Sequence, residues 1–114
     1  MVVAILFVVN LLLFIPQGQG GGGDLAAAGR RVYEARKCAT CHMVAGEGNI
    51  RFNLDRVATR LSESDLRRWL TDPSAMERAL PKQPAVRMSE WLQANRKISD
   101  ADRNALVAYL SSLK

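Results

Sequence analysis

Cys38-Ala39-Thr40-Cys41-His42 contains both cysteines and the only histidine of the 114-residue chain. A C-x-x-C-H run is typical of covalent attachment of a c-type haem. Cysteines three positions apart lie about one helical turn from each other, so both thiols can reach one edge of a porphyrin. His42 follows directly and can approach the iron from below the ring. The stretch therefore predicts a haem-attachment site, around which the remaining chain would build an apolar pocket.

Three other chemistries use cysteines at this spacing. A thioredoxin-like redox motif belongs near a βαβ pattern, and the sequence shows no alternating strands rich in Val or Ile. A zinc site normally has four ligands, but two Cys and one His lie here within five residues, with no second cluster. A disulfide between Cys38 and Cys41 would close a very small loop and leave His42 unexplained. Haem attachment is the interpretation that uses all three side chains.

The size and charge of the chain fit a small domain built around a cofactor. About 90 residues remain once any targeting segment is set aside, enough for one domain with a modest core. The formal net charge is +5, from 16 Lys and Arg against 11 Asp and Glu. This excess suits docking onto acidic protein surfaces or anionic lipid. It is too small, and too interleaved with acidic residues, to indicate nucleic-acid binding.

The N-terminal region divides into an apolar segment and a glycine-rich segment. Residues 1–16 are almost entirely apolar, but a helix over 2–15 would be about 21 Å long, shorter than the ~30 Å hydrocarbon core of a bilayer. We interpret 1–16 as an uncleaved membrane anchor, because no Lys or Arg precedes it and the only Ala-x-Ala sequence lies inside the next predicted helix. A cleaved signal segment is the alternative. Residues 17–23 would form a flexible tether, and 24–114 the domain.

The first predicted helix of the domain leads into the cysteine motif. Asp24 is its predicted N-cap, and apolar residues at helical spacing extend it to about Lys37. Gly29 lies on or near the apolar face. A glycine inside a helix lowers stability relative to alanine, so we expect another helix to pack closely there, although a merely tolerated glycine is the alternative.

Capping residues and prolines predict the later elements. Ser62 with Asp65, and Ser99 with Asp102, have the spacing of capping boxes at the starts of two helices. The first of these should end at Asp72-Pro73, because the residue before proline is pushed out of the helical region. Residues 81–87 contain two prolines and should form an irregular loop, followed by Met88 and a short helix over 89–95. The domain is thus predicted to be nearly all helix and loop.

The sequence resembles a class I c-type cytochrome over residues 25–113. The matching pieces are Gly29-x-x-x-Tyr33 before the haem motif, Leu66-Arg-Arg-Trp69-Leu70-Thr-Asp72-Pro73 in the middle, and Ile98 to Leu110 at the end. The resemblance implies an all-α cytochrome c fold wrapped around one covalently bound haem c. It also implies that the N- and C-terminal helices cross, with Gly29 and Tyr33 meeting Leu106 and Tyr109.

The resemblance also implies a ligand set. In this family two thioethers, here from Cys38 and Cys41, hold the haem, and the proximal ligand, here His42, binds the iron through Nε2. The distal ligand is a methionine from the loop before the last helix. Met88 fits this pattern, since it follows the proline-containing loop and precedes Ile98 by ten residues.

Two departures from the family pattern concern the axial residues. The family's methionine is usually followed by proline, whereas Met88 is followed by Ser89. The family usually has a Gly-Pro-x-Leu stretch after the haem motif, and its proline carbonyl accepts the hydrogen bond from the His Nδ1–H. The corresponding stretch of this chain is Arg51-Phe52-Asn53-Leu54, which has no proline. We expect a backbone carbonyl near Phe52 to accept that bond instead.

Apolar side chains are expected to wall the haem, although any of them can equally be ordinary core. The candidates are Val44, Phe52, Leu54, Leu61, Leu66, Trp69, Leu70 and Trp91. Arg51, Arg56 or Arg60 are candidates for pairing with the haem propionates, with solvated surface arginines as the alternative.

The resemblance implies single-electron transfer rather than an enzyme in its own right. The haem domain would lie on the periplasmic side of a membrane, as the tethered cytochrome c subunit of a respiratory or photosynthetic complex. Its partners would be membrane complex subunits and redox proteins with acidic docking surfaces, and not nucleic acid. The alternatives are a soluble periplasmic electron shuttle released by cleavage, and a gas-binding haem protein with a labile Met88.

Overall fold

A computed structural model describes residues 22–95 and 97–114. Its α-helices within these residues are α1 (Gly22–Ala35), α2 (Glu63–Thr71), α3 (Pro73–Arg78), α4 (Met88–Ala94) and α5 (Asp100–Ser111). Short 3-10 helices cover Cys38–Thr40 and Val57–Thr59. The apolar segment 1–16, and residues 17–21 of the predicted tether, lie outside the described residues.

Local capping interactions start α2 and α5, as predicted. The Ser62 hydroxyl accepts the Asp65 N–H at 3.1 Å, and the Asp65 carboxylate accepts the Ser62 N–H at 3.4 Å, which completes a capping box. The Ser99 hydroxyl accepts the Asp102 N–H at 3.1 Å. Asp72 ends α2 before proline, also as predicted, and its side chain caps α3. These boundaries follow from hydrogen bonds between residues three apart, which are visible in the sequence.

Helix α1 begins earlier than predicted. It includes Gly22 and Gly23, so Asp24 lies within its first turn and not at the N-cap. The carboxylate is still favourable there, because the first turn of a helix has unpaired N–H groups and a partial positive charge. The last two glycines of the predicted tether thus belong to α1.

Helices α1 and α5 pack directly on each other at Gly29. An ideal Cβ at Gly29 would lie 2.6 Å from both the carbonyl carbon of Ala105 and the Cβ of Tyr109, and closer still to the Ala105 carbonyl oxygen. One turn later, the rings of Tyr33 and Tyr109 meet edge to face with centroids 5.6 Å apart. The glycine thus has the packing role expected of it, and Ala105 and Tyr109 are its nearest neighbours on α5. Tyr33 and Leu106 lie in the same buried cluster.

A short three-stranded sheet follows the cysteine motif, where only loop was predicted. The central strand β1 (His42–Val44) pairs antiparallel with β2 (Glu47–Gly48) and parallel with β3 (Phe52–Asn53). Ala45 and Gly46 connect β1 to β2, and both have positive φ, the pattern of a tight hairpin turn. Strands of two or three residues are too short to show alternating hydrophobicity, so the sequence carried no signal for them.

The hydrophobic core lies where α1, α2 and α5 meet. Its buried members are Tyr33, Val57, Leu66, Leu70, Ile98, Leu106, Val107 and Leu110. Across the described ranges, no helix has the length and apolar character needed to cross a membrane. The segment that follows α1 and the start of α4 bring the cysteine motif and Met88 to one cavity.

Candidate functional site

One large, mostly apolar cavity of about 560 Å³ lies beside the core. Its volume is in the range of small-molecule and cofactor sites, ~300–1,000 Å³. Cys38, Cys41 and His42 line it together with Met88, although 46 positions separate His42 from Met88 in the chain. The fold therefore brings both thiols, the imidazole and one thioether around a single apolar space.

His42 is held by β3. The register of the sheet places His42 opposite Phe52, and the His42 Nδ1 lies 3.1 Å from the Phe52 carbonyl oxygen. Because a carbonyl oxygen only accepts, this bond requires the proton on Nδ1 and leaves the Nε2 lone pair free. Burial lowers the pKa of His42, with the Phe52 hydrogen bond partly opposing that shift. The imidazole is thus neutral, which suits metal ligation through Nε2.

The two cysteines are presented by the 3-10 turn that begins at Cys38. The Cys41 N–H donates to the Cys38 carbonyl at 3.1 Å, and both thiols are free rather than joined in a disulfide. Burial raises the pKa of the Cys38 thiol to about 11. No grouping of three or more His, Cys, Asp and Glu side chains suited to a metal ion occurs in the described ranges. The turn thus offers two unpaired sulfurs on the cavity wall.

Met88 is the first residue of α4 and is half-buried against the core. Among the other methionines of the described residues, Met43 lies on β1 and Met76 on α3, and neither lines the cavity. Met88 is therefore the methionine that the structure brings to the same space as His42.

Most of the expected wall residues line the cavity. They are Phe52, Leu54, Leu61, Leu66, Trp69, Leu70 and Trp91. Val44 instead packs against the hydrophobic core. Arg51 and Arg60 also line the cavity, whereas Arg56 does not.

Among the polar side chains of the cavity wall that were not predicted as site residues, those of Tyr33 and Glu77 are buried. The Tyr33 hydroxyl is buried and has no hydrogen-bond partner among the described residues, and burial raises the pKa of Tyr33 to about 12. Glu77 is almost fully buried. Tyr33 was assigned only to helix packing, and Glu77 occupies an ordinary helical position, so neither carried a sequence signal for the cavity.

Comparison with known proteins identifies the family. The sequence model of the family described as Cytochrome c matches residues 26–114. The chain belongs to the cytochrome c family. This cytochrome c chain is also 31% identical over 101 residues to "Cytochrome c oxidase subunit 2" of Alkalihalophilus pseudofirmus (strain ATCC BAA-2126 / JCM 17055 / OF4), in an alignment covering 79% of the chain. The chain spans about a quarter (26%) of the length of that relative, and no solved structure gives a significant match.

Family membership establishes a covalently bound c-type haem as the cofactor and electron transfer as the general activity. The residues around the cavity fit this group. Two free thiols are available for thioether bonds, a neutral imidazole has a free nitrogen, and the surrounding walls are mostly apolar. The unpartnered Tyr33 hydroxyl is a further polar atom that a bound group can satisfy.

Proposed function

We propose that this cytochrome c is a single-electron carrier whose haem is attached through Cys38 and Cys41, with His42 and Met88 as its two axial ligands. The observation that carries the proposal is the convergence of the four side chains on one apolar cavity. Phe52, Leu54, Trp69 and Trp91 would contact the haem as wall residues.

The haem iron, when bound, supplies the one-electron redox chemistry. His42 is oriented by the Phe52 carbonyl, which fixes its tautomer and raises its basicity as a ligand. A Met88 ligand would leave no open coordination position for a substrate, and it favours a high reduction potential. The apolar walls exclude water, which stabilises the less charged, reduced state of a buried site.

The charges around the cavity support an acidic redox partner. Five cationic side chains line it, against the single carboxylate of Glu77; they are Arg36, Lys37, Arg51, Arg60 and Arg87. Exposed apolar side chains of Leu80 and Val86 lie beside them. We call these cationic and exposed apolar side chains the rim of the cavity. We propose that a partner with an acidic surface docks at this rim, because complementary charge accelerates association.

A place in a respiratory membrane complex is supported by the relative whose name is cytochrome c oxidase subunit 2. We propose that this cytochrome c is the electron-entry module of such a complex. Residues 1–16 would anchor it, residues 17–23 would link the anchor to the domain, and the domain 24–114 would lie on the periplasmic side. Intact-mass measurement of the native protein extracted from membranes tests this: retention of residues 1–16 supports it, and a shorter chain in the soluble fraction contradicts it.

The ligand assignment is tested by absorption spectra of the haem-loaded protein. The wild type should show a sharp α-band when reduced and, when oxidised, the weak red absorption band that reports methionine–iron ligation in this family. Met88→Ala should abolish the red band, whereas the control Met76→Ala should retain it. Loss of the band in the Met76 variant alone would contradict the assignment. Carbon monoxide binding to the reduced wild type would favour a gas-binding site over a closed electron carrier.

A further inference from the structure

Glu77 is the one charged side chain that is buried within residues 22–95 and 97–114, with 3% of its surface exposed. It lies on α3 and lines the same cavity as Met88. Burying a carboxylate is unfavourable unless hydrogen bonds or a counter-charge compensate for the lost water. The ion pairs identified among the described residues do not include Glu77, so its hydrogen bonds must provide that compensation.

Both carboxylate oxygens of Glu77 bind Ser89. Oε1 accepts the Ser89 backbone N–H at 2.8 Å, and Oε2 accepts the Ser89 hydroxyl at 2.6 Å. Ser89 is the second residue of α4, where a backbone N–H has no partner within the helix. Arg87, the N-cap residue of α4, provides no side-chain capping bond. Glu77 thus caps α4 from a different helix.

The capped N–H connects Glu77 to Met88 through the backbone. It belongs to the planar peptide unit that joins Met88 to Ser89, so holding this N–H fixes the orientation of the peptide on the C-terminal side of Met88. A proline at position 89 would have no N–H to donate. The Glu77 carbonyl also accepts the Gln83 side-chain amide at 2.8 Å, which ties the loop before Met88 to the same residue.

We propose that Glu77 is a positioning residue that holds Met88 towards the iron through its two hydrogen bonds to Ser89. The inference rests on the proposed role of Met88 as the distal ligand. Hydrogen bonds to a charged group contribute more than those between neutral groups. Their loss increases the fraction of molecules in which Met88 has left the iron, and an external ligand then binds more tightly in proportion to that fraction.

The test compares haem-loaded variants by imidazole binding to the oxidised protein and by the red methionine–iron band. Glu77→Ala should tighten imidazole binding about tenfold or more and weaken the band. Glu77→Gln should have a smaller effect, because its amide oxygen keeps one acceptor. Ser89→Ala should change imidazole affinity about as much as Glu77→Gln does. The double variant, Glu77→Gln with Ser89→Ala, should change it by less than the sum of the two single effects, since both substitutions remove parts of one interaction.

Ser62→Ala is the matched control, because it removes the cap of α2 without touching α4. It should lower thermal stability while leaving imidazole affinity and the red band unchanged. Wild-type imidazole affinity in the Glu77 and Ser89 variants would overturn the proposal, as would an equal change in Ser62→Ala. If Glu77→Ala does not fold, Glu77→Gln and Ser89→Ala decide the question. A red band that survives Met88→Ala would instead show that the ligand assignment itself is wrong.

Discussion

Replacing Gly29 with alanine tests the contact between α1 and α5 most directly. The added Cβ would lie 2.6 Å from the Ala105 carbonyl carbon and from the Tyr109 Cβ. Carbon atoms in contact prefer about 3.5 Å, so the helices must separate by at least about 0.9 Å at this point (3.5 − 2.6), and by more to clear the Ala105 carbonyl oxygen, which lies closer still. None of these neighbouring atoms can rotate away, because they belong to the backbone or to the first side-chain carbon.

The expected cost combines two opposing effects. Overpacking of a well-packed contact lowers the free energy of unfolding by about 1–3 kcal/mol, and the rigid neighbours at Gly29 place this substitution near the upper end. Alanine regains about 1 kcal/mol from its higher helix propensity. The net loss is therefore about 2 kcal/mol, which for a domain of this size lowers the melting temperature by about 8–16 °C.

Thermal unfolding of the haem-loaded protein, followed by circular dichroism, measures this loss. Gly23→Ala is the matched control on the same helix, because nothing lies within 4 Å of a Cβ at Gly23. It should leave the melting temperature unchanged or raise it slightly. If Gly29→Ala proves as stable as Gly23→Ala, the backbones do not meet as described and the packing argument fails.

Three further predictions concern the loops, the core tyrosine and the rim. Gly48→Ala should reduce haem incorporation, measured by mass spectrometry, and the melting temperature, because Gly48 has φ +110° and an added Cβ would meet the carbonyl oxygens of His42 and, at 3.0 Å, Ala39. Gly46→Ala is the control: Gly46 has φ +80° but open space around it, so both losses should be smaller. The raised pKa of Tyr33, about 12, means that the folded state keeps a proton that the unfolded state loses above about pH 10. Its stabilising contribution is therefore complete below pH 10 and is lost as the pH rises towards 12, so urea midpoints should fall less steeply in Tyr33→Phe over this range. Arg87→Glu should slow electron transfer with an acidic partner about tenfold at low salt and less at high salt, whereas Arg31→Glu, away from the cavity, should not slow it. If stopped-flow measurements give the same rate for the two variants, the rim is not part of the docking surface.

The sequence predicted those features that depend on neighbouring residues. The spacing of Cys38, Cys41 and His42 alone indicates haem attachment. Ser62 and Ser99 cap helices by accepting the backbone N–H of the residue three positions later. Gly29 was recognisable because a glycine inside a helix needs a reason. Ala105, the nearest neighbour of Gly29 on α5, was not named from the sequence, since the rotation of α5 depends on packing along its whole length and not on any local signal.

The features that the sequence did not predict depend on contacts between distant residues. The strands β2 and β3 exist because residues 42–44 of β1 pair with them, and segments of two residues have no pattern of their own. Glu77 looks in the sequence like a solvated helical residue, but it is buried and its carboxylate binds Ser89, twelve positions later. Such hydrogen bonds are satisfied only after the loop between them has folded.

The same kind of contact accounts for both places where the sequence departs from the family pattern. Behind His42 the expected proline is missing, but the Phe52 carbonyl, ten residues away, accepts the Nδ1–H bond. After Met88 the expected proline is replaced by serine, whose two donors bind the Glu77 carboxylate. A serine can replace a proline here only if an acceptor is buried beside it, and a buried carboxylate is tolerated only if donors reach it. Glu77 and Ser89 therefore depend on each other. Replacing either one alone should disturb the Met88 loop, and replacing both should have less effect than the sum of the two single replacements.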